Sequence, residues 1–508
     1  MKRKGISILI ALTLCLTATA CSNNTSTNNS TEVNESSKID IKSLDNETVG
    51  EANTIIKLGS DMSVEGEGAS INNNNINITK AGTYSISGDM EEGQIVVNAS
   101  SEDKVYIILN GVNITSKSSA PLYVKSAKKC VLALEKGTEN TLTDGESYVL
   151  DDEANNEPNA SIFSKDDLTI IGEGKLSVNG NYNNRIASKD DLKIQSGEIV
   201  VNAKNNGIKG KDCINISSGN LTIKSEGDGL KADNTTDATK GYIYIENGRI
   251  NITSGEDGIQ AETELLIADG DITISSGGGS ANSSSKSEEL SIKDKMKGEK
   301  FDPNASINMT DGVVIVNGPE NNGNGALDYD GKCEVSGGTL IAAGSLGMVQ
   351  TPSDSSKQNT LNISLTSQEA NTLVNVKSES GEEIITFAPS KSYQSLVICS
   401  PNIKSNEKYL VSVGGSSTGK QVDGLYSDGK YSGGANVGDI EVTSVINNIT
   451  QEGATQGGGM GGGRGGNKGG RPEGEMNGEN LTPPGKEMKN PNDAETSATP
   501  KNENNSQL

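Results

Sequence analysis

Two short stretches carry the acidic side chains whose spacing is most suggestive of chemistry. Residues 226–234 read EGDGLKADN and residues 255–263 read GEDGIQAET. Each has an acid, a Gly, an aliphatic residue, and a second acid four residues after the Gly. Asp228, Asp233, Asp257 and Glu262 would suit a hard divalent cation. Ca²⁺ takes about six to eight oxygens from carboxylates, amides and backbone carbonyls. Asn206, Asp212 and Asn234 are nearby candidates for further oxygens. Taken singly, an Asp-Gly is more often a turn than a ligand.

The elements that must position these residues emerge from a repeat. A Gly followed by alternating aliphatics recurs as EGKLSV at Gly174, SGEIVV at Gly197, SGNLTI at Gly219, NGRINI at Gly248 and DGDITI at Gly270. DGVVIV at Gly312 and GGTLIA at Gly338 are later copies. Period-2 alternation with two or three short strands per repeat of about 22 residues predicts an all-β solenoid, one coil of a parallel β-helix per repeat. The longer step to Gly248 predicts a seven-residue loop around 235–241. The nine-residue calcium β-roll and the EF-hand fit neither the period nor the positions of the acids.

Stacked coils turn sequence columns into spatial ladders about 4.8 Å apart. Aligned on Ile162, Ile186, Ile208, Leu230 and Ile259, the column two residues earlier reads Ala160, Asn184, Asn206, Asp228, Asp257. Three residues later it reads Lys165, Lys189, Lys211, Asp233, Glu262, and four later Asp166, Asp190, Asp212, Asn234, Thr263. In the last two coils both flanking columns turn acidic together. Stacked like charges destabilise a sheet, and a cation reverses the sign. The coordinated change therefore predicts calcium at Asp228, Asp233, Asp257 and Glu262. The pairs Asp166–Asp167 and Asp190–Asp191, with Lys165 and Lys189 beside them, read instead as a solvated ion-pair face.

Five segments follow. Lys2, Arg3 and Lys4 precede an apolar run ending in ATAC, so residues 1–21 read as an export signal similar to that of bacterial lipoproteins, with Cys21 as the lipidated residue. Residues 22–53 form a flexible tether. The β-helix spans 54–350, with an exposed low-complexity loop at 276–304. An antiparallel β unit occupies 351–447, and a disordered Gly/Asn/Pro-rich tail runs over 448–508. The expected location is the outer face of a membrane, held by the N-terminal lipid, or otherwise the secreted fraction. Cys130, Cys213 and Cys333 each lie just before a strand and so sit several coils apart. With Cys399 they are expected to be free thiols. A net charge of −24 excludes a nucleic-acid partner.

NNGIKGKD, GDGLKADN, GEDGIQAE, NGNGALDYDG and YQSLVICSP together resemble the exported carbohydrate-binding proteins of cellulose-degrading clostridia. The resemblance covers roughly 54–447. It implies a right-handed parallel β-helix related to pectate lyases, bound calcium, and a cellulosic or acidic, polygalacturonate-like polysaccharide partner. By motif it assigns calcium to Asp228, Asp233, Asp257 and Glu262, with Asp328 and Asp330 in a shifted match. Trp is absent and Tyr occurs only 12 times, so aromatic stacking is a poor main mechanism. Tyr182, Tyr242, Tyr244 and Tyr329 are auxiliary candidates, and Lys211 and Lys231 are candidate polar contacts. A non-catalytic, surface-anchored binding protein is the leading expectation. A calcium-dependent lyase is the alternative, with Lys211, Lys231, Arg185 or Arg249 as base. A self-associating adhesin is the third.

Overall fold

The computed structural model describes residues 46–277, 290–292 and 305–454. The export signal, most of the tether, most of the stretch 276–304 and the expected tail beyond 454 lie outside the described residues. The first residues of that expected tail, 448–450, belong instead to a strand, Ile446–Thr450, paired with Thr360–Gln368.

Each complete coil carries three strands, for example Ile208–Gly210, Cys213–Ile216 and Asn220–Ser225. Equivalent strands pair in parallel and build three ladders. The first ladder runs through Ile162, Ile186, Ile208, Leu230 and Ile259. The second runs through Leu168, Leu192, Ile214, Ile243, Leu265 and Ile307. The third runs through Leu176, Ile199, Leu221, Ile250, Ile272 and Val314. All of these side chains are buried, and each contributes about 1.5–3 kcal/mol of apolar burial. A thin core of stacked aliphatics explains how a chain with three Phe and no Trp stays folded. The first ladder continues into Leu290–Ile292, inside the stretch expected to be a loop.

The glycines are of two kinds. Gly197, Gly219, Gly248 and Gly270 open the third-ladder strands with φ between +116° and +123°, a region that favours Gly. Gly207 and Gly229, which follow the Asx residues, are required for a different reason. A Cβ on Gly229 would lie 2.5 Å from the Gly258 carbonyl oxygen, and one on Gly207 would lie 2.7 Å from that of Gly229. Close stacking of one coil on the next, not turn geometry, demands glycine there.

Both ends of the solenoid are closed by antiparallel pairing. At the start, Thr54–Lys57 pairs with Ser63–Glu65, and Ala69–Asn72 pairs with Asn75–Ile78. At the far end, Tyr393–Cys399 pairs antiparallel with the last third-ladder strand, Thr339–Gly344. A six-stranded antiparallel sheet follows. Its core joins Ile315 and Ile341 of the solenoid to Leu361, Phe387, Leu396 and Val411. The last strand of the third ladder is thereby paired on its outer edge, whereas Ala69–Asn72 remains the outermost strand of the first ladder's sheet.

Cys130, Cys213, Cys333 and Cys399 are free and buried, as expected. Their register differs from the expectation in one respect. Cys130 is level with Leu168, and Cys333 with Ile307, in the inward column. Cys213 follows Asp191 and precedes Tyr242, in the outward column.

Candidate functional site

The Asx column lies at the corner between the third and first ladders and forms a continuous hydrogen-bonded stack. The Asn206 side-chain amide donates to Asn184 Oδ1 at 2.9 Å. The Asp228 backbone N–H donates to Asn206 Oδ1 at 3.0 Å, and the Asp257 N–H to Asp228 Oδ1 at 3.0 Å. Asn184, Asn206, Asp228 and Asp257 are all buried. These side chains bond the neighbouring coil, not their own backbone, and so tie coil to coil.

The next two acids, Asp233 and Glu262, lie across the first ladder at its other corner. Lys209 and Lys231, register partners, project outward between the two corners. Lys231 Nζ lies 2.5 Å from Asp228 Oδ2, and Lys209 Nζ lies 2.6 Å from Asp233 Oδ2. Burial alone would lower the Lys231 pKa, but the charges of Asp228, Asp257 and Asp233 raise it. The column immediately after the aliphatic reads Phe163, Ala187, Lys209, Lys231, Gln260. It supplies ammonium groups in the neighbourhood where acids accumulate, a signal present in the sequence but not used. Glu262 is buried at the far corner, its N–H donating to the Ala232 and Gly241 carbonyls.

At the corner between the first and second ladders, Asp212 is buried and accepts from the Asn234 amide at 2.5 Å. Lys240 Nζ, on the inserted loop, lies 2.5 Å from its other oxygen. Asn234 Oδ1 in turn accepts from the backbone of Thr236 and Asp237, which organises that loop. Lys211 is exposed beside it.

Lys165 and Lys189 do not neutralise the aspartates beside them. Both reach Glu157, a buried carboxylate on the 145–159 loop, at 2.9 Å each. Lys165 and Lys189 therefore do not supply the expected ion pairs, and Asp167, Asp190 and Asp191 are brought together. Their ligand oxygens all lie within 4.8 Å of one another, and among the described residues they form the one such cluster. Burial, a hydrogen bond with Asp212, and the charges of Asp167, Asp212 and Asp191 push the Asp190 carboxyl up to about 7. Burial and Asp191 raise Asp167 as well. Lys193 Nζ stands 3.7 Å from Asp191.

The same outward column continues from Asp191 through Cys213 to Tyr242. Tyr242 and Tyr244 share the outer side of one strand and are half-buried. Tyr182 lies elsewhere, stacked on Tyr148 at 4.3 Å. Tyr329 is half-buried, its hydroxyl donating to the Thr351 carbonyl. The second ladder thus presents an acidic cluster with two tyrosines two coils further along.

Three comparisons bear on this arrangement. The family model described as carbohydrate-binding domain-containing protein matches residues 72–347. A carbohydrate-binding domain-containing protein of Acetivibrio thermocellus is 50% identical over 212 residues, which is 42% of this chain and 74% of that protein. A solved structure of a polysaccharide lyase-like protein from C. thermocellum, a gadolinium derivative, aligns with a TM-score of 0.44 and 41% identity, covering 45% of this chain and 92% of that one. With more than half of its length matched, the chain belongs to the family of carbohydrate-binding domain-containing proteins.

Proposed function

We propose that this protein is a non-catalytic, surface-displayed binder of acidic or cellulosic polysaccharide, with calcium held at Asp167, Asp190 and Asp191. The observation that carries the reading is the convergence of these three carboxylates while the adjacent Lys165 and Lys189 are drawn away to Glu157. A cluster of oxygens from adjacent coils suits a hard cation. Calcium there would relieve the mutual repulsion and offer open coordination positions to hydroxyl or carboxylate oxygens of a glycan. Asp228, Asp233, Asp257 and Glu262 remain a second candidate region, where Lys231 and Lys209 already provide positive charge. Coils recur about every 4.8 Å, close to the length of one pyranose residue. A linear polysaccharide lying along the solenoid would therefore meet the second-ladder columns in step, with Tyr242 and Tyr244 within its reach. Display outside the cell through a lipidated Cys21 belongs to the same proposal.

Binding without turnover is favoured by the state of three of the four candidate bases, Lys231, Arg185 and Arg249, while the fourth, Lys211, is exposed. Lys231 is kept protonated by Asp228, whereas a lyase base must give up its proton. Arg185 is only 2% exposed, and Arg249 is paired with Asp423 at 2.9 Å. The test is retention of the protein on insoluble polygalacturonate and cellulose, with calcium and with chelator, alongside ultraviolet detection of unsaturated product. Chelator-sensitive retention without product is expected. Steady product formation would replace the binding reading with the lyase, and no retention on either polymer would leave the adhesin.

A further inference from the structure

The first described residues, 46–50, lie across the outer side of the second ladder near its N-terminal end. Glu47 points its carboxylate between two lysines from adjacent coils, Lys104 and Lys129, which are register partners. Glu47 Oε1 lies 3.2 Å from Lys104 Nζ and 2.9 Å from Lys129 Nζ. The Tyr106 hydroxyl donates to Oε2 at 3.4 Å, and the Glu47 N–H donates to Gln195 Oε1 at 3.0 Å. Val49 then packs on Val131, Ala133 and Ile171.

This is a built site and not a loose surface pair. The Glu47 and Lys129 side chains are 7% and 8% exposed, whereas Lys104 remains 43% exposed. One side of the clamp is desolvated and the other opens to solvent. Charge-assisted hydrogen bonds are strongest in such a setting, and removing the anion while the strap stays in place would leave the Lys129 ammonium buried without it. Whatever replaces Glu47 must therefore bring an anionic oxygen group, such as a carboxylate. The strap's own Val49 and Gly50 line an open cleft of about 270 Å³ together with Ile108, Ala133, Glu135 and Glu173. The next position in the clamp's own column after Lys129 is Asp167, so the clamp and the acidic cluster are consecutive along the axis.

We propose that Lys104, Lys129 and Tyr106 form a carboxylate-binding subsite for a uronate residue of an acidic polysaccharide, which the chain's own Glu47 fills until ligand displaces it. The inference rests on the polysaccharide-binding reading above but does not depend on calcium. The two lysines take a carboxylate directly, whereas Asp167, Asp190 and Asp191 require a bridging cation. Selection of acidic over neutral glycans follows from the buried ammonium. The strap acts as an internal competitor, lowering apparent affinity by the fraction of time it is closed.

The test uses the full chain in chelator, with oligogalacturonate and cello-oligosaccharide titrated separately by calorimetry. Glu47→Gln keeps the shape of the strap and removes its charge. It is expected to tighten oligogalacturonate binding about tenfold, the effect of freeing a site closed about nine-tenths of the time. Cello-oligosaccharide binding is expected to stay unchanged. Lys104→Gln, at the exposed side of the clamp, and Lys129→Met are each expected to weaken oligogalacturonate binding below wild type, with thermal melts reporting folding. Wild-type affinity in Glu47→Gln overturns the inference even where calcium-dependent binding persists. Failure of every glycan to bind, with or without calcium, overturns the polysaccharide reading instead.

Discussion

The Lys231–Asp228 pair gives a prediction whose size can be worked from the structure. Asp228 has 2% of its side chain exposed and Lys231 has 23%. Asp228 also accepts the Asp257 N–H. Lys231→Met leaves a buried carboxylate stacked between coils with its ammonium removed. Breaking a buried pair this way costs about 3–5 kcal/mol, and partial solvent access at Lys231 places the expected loss near 3 kcal/mol. Asp228→Asn keeps the acceptor for the Asp257 N–H and loses only the charge, so about 2 kcal/mol is expected. The double variant removes both charges and is expected to lose clearly less than the two singles together, with a coupling of about 1.5 kcal/mol or more. The assay is urea unfolding followed by circular dichroism, comparing midpoints at constant slope, with and without millimolar calcium. A coupling under about 0.5 kcal/mol would refute the view that lysine balances the charge of this corner. Full restoration of Lys231→Met by calcium would do the same, and would make the corner a cation site.

Asp190→Asn is expected to abolish any calcium-dependent rise in melting temperature while leaving the chelated protein as stable as wild type or more so. Because the Asp190 carboxyl is raised from 3.8 to about 7, its contribution to stability is greatest below pH 4 and is lost as pH rises through 7. The metal-free wild type should therefore lose stability between pH 4 and 7 relative to Asp190→Asn, and its calcium response should strengthen over the same window. Gly229→Ala drives a Cβ to 2.4 Å from Ile252 Cγ2 and 2.5 Å from the Gly258 oxygen, so a loss of about 2 kcal/mol or more is expected in the same urea assay. Burial pushes the Cys130 thiol up to about 12 and raises Cys213 and Cys333 as well. An aromatic disulfide reagent should leave these thiols untouched in the native protein and titrate them in denaturant.

The coil register was legible because period-2 alternation and a recurring Gly are local signals. The pairing of Ile162 with Ile186 and Ile208 with Leu230 follows directly from them. The swap of Asn for Asp in one column was equally legible, and the structure shows why Asp is tolerated there: its oxygen still accepts the N–H of the next coil. The destinations of the lysines were not legible. Lys165 and Lys189 turn away from their neighbouring aspartates because Glu157, placed by a loop outside the repeat, offers a buried carboxylate. Column arithmetic cannot see a partner that lies outside the columns. For the same reason the acidic cluster at Asp167, Asp190 and Asp191 read as balanced by Lys165 and Lys189, when the lysines near it are Lys193 and Lys129. Cys213 was misplaced by one residue, since a strand begins within a register that a preceding turn does not fix.

The two loops at the corner between the first and second ladders divide labour in a way that separates stability from charge. Glu157 on one loop draws off two lysines, and Lys240 on another reaches Asp212. The aliphatic columns that hold the solenoid together touch neither event. Lengthening, shortening or exchanging these loops would redraw the electrostatic map of the flank while the stacked core stayed in register. A single scaffold of this kind can thus be retuned from one charged ligand to another by changes confined to its corners.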